Sequence, residues 1–508
     1  MRRLQKFWGL QSRVLLLGLC SGYWVGAEDL PATFALHRVE EPLSLEAFRQ
    51  KTAEHLPHYE HVLLAVRVAK EAEKEADALF DPVVSLVKSQ QQTEEVSLLG
   101  IENSDVEQTA LSVTLPLKAT GGAVVIKAID SNAITSTLNG KKADSLVKAI
   151  TVTQPLMKGL GRDVSWFPER STRLKKKQSI LQRTRYLQGL IKTFELMYWR
   201  HWLSFEHWKI NLQRYQLAQQ QVEDATKLSK SGLIAAIEIL RAKSGLSQNV
   251  EAVLTAKAAL LRSQRSLEKS LGGLTVEGQK LFIPMSQPDD LHDSDIGNID
   301  QLLQNALQNR PDFQQKQLEL SLDVLNENYA KNQQLPQVDI RLSYSSERFQ
   351  VQAMDISRDV LPNRSVSLTL EWPLGGKAAT AVLTKARLQS RLNQTELANY
   401  KADIVEEVLN SVGALKVTIA RIKATKDALV LAEKIYQAEK KQFSRGIITS
   451  TEVLVAARDF SGARSRRAKA LMDFQRAKVG LRYVVGDLDV GLFLEELPDT
   501  VNELSSNR

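Results

Sequence analysis

Phe443 to Asp459 reads FSRGIITSTEVLVAARD, and Leu228 to Ser244 reads LSKSGLIAAIEILRAKS. The two stretches share one plan: a polar lead, a glycine, two aliphatics, a short Thr or Ala patch, then Glu ahead of a helical run. Gly232 matches Gly446, Glu238 matches Glu452 and Leu240 matches Leu454, all 214 residues apart. Self-similarity at a fixed offset marks an internal repeat, and it overrides the several-domain expectation that a chain of 508 residues would otherwise carry.

Each copy lies at the far end of a long stretch that lacks the strongest helix breaker. No proline falls between Pro168 and Pro284, or between Pro373 and Pro498. A helix from Pro168 to Ser231 would be about 95 Å long at about 1.5 Å per residue, more than a globular domain of ordinary size can house. A glycine takes the positive φ that ends a helix. Each copy therefore predicts the tip of a long helical hairpin.

Outward from the tips, the duplication continues. Ala53 to Tyr59, AEHLPHY, resembles Leu307 to Phe313, LQNRPDF, 254 residues away, and each leads into a helix that stops near Pro82 or Pro336. Helices are expected over Leu43 to Lys51 and Pro57 to Leu79, with Pro57 suited to a first turn. After each stopping proline the period changes from helical to alternating. Strands are expected at Val83 to Lys88, Thr109 to Leu117, Ala123 to Ile129, Leu146 to Thr153, Val338 to Ser345 and Ser365 to Trp372. Thr120-Gly121-Gly122 and Asn139-Gly140 supply turns. The strand zones close on Thr153-Gln154-Pro155-Leu156 and Glu371-Trp372-Pro373-Leu374, 218 residues apart, so the first zone is 36 residues longer. That surplus has room for an added hairpin or an external loop.

The fold class is thus mainly α with β, a tandem repeat of long antiparallel helical hairpins, each preceded by strands. The expected boundaries are a signal peptide at 1–27, a first repeat at 28–285, a second at 286–490 and a tail at 491–508. The first repeat holds a strand zone at 83–154 and a tip near 232; the second holds a strand zone at 337–373 and a tip near 446.

Residues 1–27 have a basic start, the apolar core Val14 to Cys20 and a small-residue end, Val25-Gly26-Ala27, which together read as a secretory signal. The only cysteine, Cys20, falls within it. Removal leaves no disulfide, thiol nucleophile or thiolate metal site. No other stretch has the roughly 18 consecutive apolar residues of a membrane-spanning helix, which leaves open a soluble exported protein or one that crosses an outer membrane as strands. The formal charge of +8 includes Arg2, Arg3, Lys6 and Arg13, with no acid before Glu28, so the exported part carries +4. So small a surplus argues against a nucleic-acid partner. No nucleophile motif, phosphate loop or paired catalytic carboxylates are present, so no enzyme activity and no cofactor are expected. His55, His58 and His61 share a helical spacing, but Pro57 interrupts it, and a surface cluster is the preferred reading over a metal site. The cluster Tyr198, Trp199, Trp202, Phe205 and Trp208 reads as packing between helices. The basic run Arg170, Arg173, Lys175, Lys176 and Lys177 reads as a solvated face at the start of the first long helix.

Alternation with polar residues suits strands with one wet and one apolar face. A few strands from one chain cannot close a barrel, and open edges are not tolerated in lipid, so several chains would have to pool theirs. At this point the chain resembles the TolC-like outer membrane efflux proteins, over about residues 40–485. The resemblance rests on the duplicated plan, on Pro57 and Pro311 opening helices, on Gln154-Pro155-Leu156 and Trp372-Pro373-Leu374 leading into long helices, and on the two glycine tips. It implies a homotrimer in the outer membrane lipid, each chain giving four strands to a shared twelve-stranded barrel. A periplasmic helical tunnel would meet an inner-membrane transporter through a periplasmic adaptor, for efflux or type I secretion. The family's tips have the form Val-Gly-Leu-x-Ala or Val-Gly-Thr-x-Thr; here they read Ser231-Gly232-Leu233-Ile234-Ala235 and Arg445-Gly446-Ile447-Ile448-Thr449. The resemblance thus implies docking residues Gly232, Leu233, Ala235, Gly446, Ile447 and Thr449. It also implies an acidic gate ring, for which Glu452 is the candidate and Glu238 a secondary one that the residues alone favour as a solvated helix charge. The competing reading is a soluble periplasmic coiled-coil adaptor or scaffold, which would usually show one hairpin rather than two.

Overall fold

The computed structural model describes residues 39–54, 60–97, 100–135, 142–272, 280–288, 297–351, 356–359 and 362–495. The expected signal segment, Pro57, His55, His58 and the Asn139-Gly140 turn lie outside them.

The chain opens with strand β1 (Val39–Leu43) and helix α1 (Leu45–Glu54). The helix expected from Leu43 is corrected here: Leu43 ends a strand paired in parallel with β6 (Lys280–Pro284). Ser44 separates the two elements, its Oγ accepting from the Ala47 N–H at 3.1 Å. Local periodicity does not register a strand whose partner lies more than two hundred residues away. Helix α2 (Glu60–Ala78) follows, then four strands, β2 (Val83–Ser97), β3 (Gly100–Leu117), β4 (Gly122–Thr135) and β5 (Lys142–Pro155). A short helix, α3 (Arg162–Ser165), leads into α4 (Phe167–Lys230) and its return, α5 (Ile237–Ser270). After β6 the plan recurs as α6 (Ile299–Asn309), α7 (Pro311–Gln333), β7 (Gln337–Val351), β8 (Ile356–Asp359) and β9 (Asn363–Glu371). Then come α8 (Lys377–Phe443), its return α9 (Ser450–Val485) and the short α10 (Gly491–Glu495).

All the strands except β1 and β6 form one sheet of seven, in the order β2-β3-β4-β5-β7, with β8 and β9 both paired to the free side of β7. Every pairing in it is antiparallel. The surplus of the first half is therefore an added hairpin: four strands stand there against the single up-and-down excursion of the second half. All six expected strands are longer than anticipated, the last by a single residue, because alternation is legible only where one face is apolar. Gln90-Gln91-Gln92-Thr93-Glu94 continues β2 with polar side chains on both faces, so no period marks it.

On one face, apolar side chains line up strand after strand. Val84 pairs with Val113, Val113 with Ile126, Ile126 with Ile150 and Ile150 with Tyr344. The next row runs Leu115, Val124, Val152, Leu342, Val366. Leu111 to Leu117 spans about 20 Å at about 3.3 Å per residue. Farther from the helices this face turns polar, with Lys88 joined to Glu107 at 2.5 Å and Gln90 donating to Asp105 at 3.2 Å. The opposite face carries small and polar residues, as in the row Thr114, Val125, Thr151, Ser343, Ser365.

The turn between β3 and β4 is fastened to the base of the helices. Lys118 Nζ lies 2.5 Å from Asp77 and 2.8 Å from Glu169, while its carbonyl accepts from Trp166 Nε1 at 2.8 Å. Gly121 has φ 76°, and a Cβ there would stand 2.3 Å from the Gly159 carbonyl oxygen, so only glycine fits.

Helices α4 and α8 each run about 95–100 Å at about 1.5 Å per residue. No described helix is long and apolar enough to cross a membrane. The main core lies along α4, where Tyr198, Trp199 and Trp202 pack edge-to-face with Phe48 and Phe194 nearby. Tyr198 also donates to the Leu43 carbonyl at 3.0 Å, tying the β1–β6 pair to the helix. Three members of the basic run are paired: Arg173 Nη2 reaches Glu169 at 2.5 Å, Lys176 bonds Glu73, and Arg170 meets Asp163 at 2.8 Å.

Candidate functional site: the paired helical tips

At the end of α4 the chain turns on Gly232, with φ 76°, and at the end of α8 on Gly446, with φ 72°. In both turns the residue after the glycine sends its N–H to a carbonyl five residues earlier. Leu233 reaches Leu228 at 2.9 Å and Ile447 reaches Gln442 at 3.2 Å. A 6→1 bond around a left-handed glycine is the Schellman termination, and it explains why these positions are glycine. The aliphatic that follows stays bare: Leu233 is 59% exposed and Ile447 66% exposed. Such side chains at the end of a rod offer apolar contact area to a partner.

The two tips touch. Gly446 sits 3.8 Å, measured from a notional Cβ, from the Leu233 side chain and carbonyl. Behind them Ala225, Ala242, Tyr436, Phe443, Val453 and Ala456 form one buried cluster that joins all four long helices.

Glu238 and Glu452 occupy matching places in the repeat but have different partners. Glu452 stays in its own turn, its Oε2 accepting from the Thr449 N–H at 2.7 Å, and with Thr449 it makes a capping box on α9. At the first tip the counterpart of Thr449 is Ala235, which has no oxygen to cap with, and the helix begins one residue later. Glu238 instead crosses to the second tip, where its Oε2 accepts from the Ser450 N–H at 3.0 Å. Its Oε1 takes Arg241 at 2.5 Å, and the residue is 7% exposed. The solvated-charge reading of Glu238 is thereby corrected. Its polar partner lies across the interface, where helical spacing gives no sign of it. Gln221 completes the joint by donating to the Ser450 carbonyl at 3.0 Å. Two carboxylates thus serve the N-terminus of α9, where unpaired N–H groups and the helix dipole favour negative charge.

A second polar cluster, midway along the rods, is absent from the sequence reading. Arg310 is 2% exposed and grips Asp312 with Nε at 3.1 Å and Nη2 at 2.8 Å, while Nη1 takes Glu407 at 2.5 Å. Asp312 also accepts from Tyr400 at 2.8 Å and meets Arg185 at 3.0 Å. Burial alone would push the Asp312 carboxyl up, but the Arg310 hydrogen bonds and the Arg185 charge hold it below the usual range. The available signal was an Arg and an Asp flanking Pro311 at a helix start. Of the histidine triad only His61 is described, edge-on to Tyr186 at 5.2 Å, and among the described residues no group of three or more acidic, His or Cys side chains could hold a metal.

Residues 302–487 match the family described as outer membrane efflux protein. No curated protein matches the chain. Among solved structures, the outer-membrane channel OprN superposes with a TM-score of 0.63 at 15% identity, covering 87% of this chain and 90% of its own. VceC, an outer membrane protein of Vibrio cholerae, gives 0.60 at 13% identity, with 87% and 96% covered. The CmeC outer membrane channel of Campylobacter jejuni gives 0.59 at 11% identity, with 95% and 98% covered. Residues 302–487 thus resemble the outer membrane efflux proteins, and the greater part of the chain shares the fold of these outer membrane channels.

Proposed function

We propose that this chain is the outer-membrane channel subunit of a tripartite efflux or type I secretion system. Three copies share a β-barrel in the outer membrane and a helical tunnel through the periplasm. The observation that carries this reading is the set of apolar rows across one face of the sheet, set at the end of rods nearly 100 Å long by the rise of about 1.5 Å per residue. Such a face is costly in water and matches the lipid-facing band of a membrane barrel. Phe80, Trp166 and Trp372 stand at the foot of the sheet, where an aromatic girdle would meet the lipid headgroups. A soluble adaptor or scaffold would leave both the band and the outer strand edges in water.

In this reading residues 1–27 direct export and are removed, 28–285 and 286–490 are the two repeats, and 491–508 is a tail. The channel works passively, without catalysis or a cofactor, and an inner-membrane transporter supplies the work. Gly232, Leu233, Ala235, Gly446, Ile447 and Thr449 form the surface that a periplasmic adaptor meets. Glu452 and Glu238 hold the closed state: three exposed Glu452 carboxylates face a narrow axis and favour cations, while Glu238 latches the two hairpins until adaptor contact shifts α9. The decisive experiment is separation of inner and outer membranes on a density gradient, followed by gel filtration in mild detergent. Trimers in the outer-membrane fraction are expected. A monomer in the soluble periplasm would end this reading in favour of the scaffold.

A further inference from the structure

The outer edges of the sheet carry an inference that rests on the trimer just proposed. Of the seven strands, β8 and β9 follow one another along the same side of β7, so the wall of one chain is six strands wide. β2 runs away from the helices and β9 runs back toward them. Among the described strands, β2 pairs only with β3, and β9 only with β7. The remaining N–H and C=O groups of both edges lie at the level of the apolar band, where lipid offers no hydrogen bond.

The added hairpin is part of this wall rather than an appendage. Its inner turn is fastened through Lys118 to Glu169 at the base of α4 and abuts Gly159 at Gly121. Its side chains also continue the apolar rows without a break, from Val84 through Val113 and Ile126 to Ile150. Six is an even number, so copies joined edge to edge keep antiparallel alternation across every boundary.

We propose that three copies close one barrel of eighteen strands, β2 of each chain pairing with β9 of the next, in place of the twelve that four strands per chain would make. Barrel diameter grows roughly linearly with strand number, so the outlet is about one and a half times as wide as a twelve-stranded one. The occupant of each edge is a second copy of this chain, because only the opposite edge of another copy has the right direction and the same apolar face. That face also sets the pairing parity: Val84 and Leu86 must align with Val366, Leu368 or Leu370, not with Ser365 or Ser367.

Cysteine cross-linking in isolated outer membranes tests this, since the only native cysteine lies at position 20. L86C is combined in turn with V366C, L368C and L370C, and oxidised samples are run without reductant. Covalent dimers and trimers from at least one same-face pair are expected, with none from L86C with S365C or S367C. A parallel series joins I126C on β4 to the same three positions. Links from β4 to β9 with β2 silent would mean that only four strands per chain enter the barrel, overturning the proposal while leaving the trimer standing. Trimers by gel filtration with no link in either series would overturn it equally. A monomer by gel filtration would instead remove the trimer on which it rests.

Discussion

The two tips start from nearly the same words, and only one of them closes by itself. At the second tip Thr449 and Glu452 cap α9 from within the turn. At the first, Ala235 replaces the threonine, α5 begins with no side-chain cap, and Glu238 is spent on the neighbouring hairpin. One oxygen atom, present at 449 and missing at 235, thus turns a local cap into a clasp between hairpins. The lesson is that a repeat preserves the backbone of its turns while its polar side chains diverge to hold the copies together.

That asymmetry can be broken most severely at Glu238. Glu238→Ala leaves the Ser450 N–H and Arg241 without their shared partner, a loss of about 1–3 kcal/mol for a buried hydrogen-bonded group. The expected outcome is a leakier channel, read as raised single-channel conductance in planar bilayers. Equal effects from Glu238→Ala and Glu452→Ala would erase the distinction between clasp and cap. Next come Gly232→Val and Gly446→Val, each forcing a β-branched residue into the left-handed region at a cost of about 1–2 kcal/mol. Both should impair export in a cargo-secretion assay while trimers persist on gels, because neither notional Cβ meets anything closer than 3.8 Å. Glu452→Ala ranks third, removing half of a capping box worth about 1 kcal/mol. Glu452→Gln should keep most of that cap yet lower cation selectivity in bilayers, and unchanged selectivity would take the residue out of the gate. The smallest effect is expected from Ala235→Thr, about 0.5 kcal/mol. By giving the first tip its own cap it should draw Glu238 away from Ser450, and the conductance should move part of the way toward that of Glu238→Ala.

The strand zones show how far the residues could be read in advance. Alternation located all six long strands of the wall wherever one face is apolar, but not their polar outer halves, nor β8. The surplus of 36 residues was countable from two offsets, while its identity as a hairpin built into the wall depended on the Lys118 turn docking on Glu169 and Trp166. Arg310 and Asp312 were visible as neighbours of Pro311, yet their value comes from Glu407, Tyr400 and Arg185 on other helices.

What the residues determined alone was periodic and local: two proline-free rods, two glycine turns, and strands that alternate where they are half apolar. Backbone propensity and the left-handed demand of a helix end act within a few residues, so they can be read from neighbours in the chain. Tertiary structure decided the pairing of β1 with β6, the six-strand width of the wall and the crossing of Glu238 to Ser450. Those depend on hydrogen-bond partners many residues away, and a buried polar group takes whichever partner the packing brings within about 3 Å.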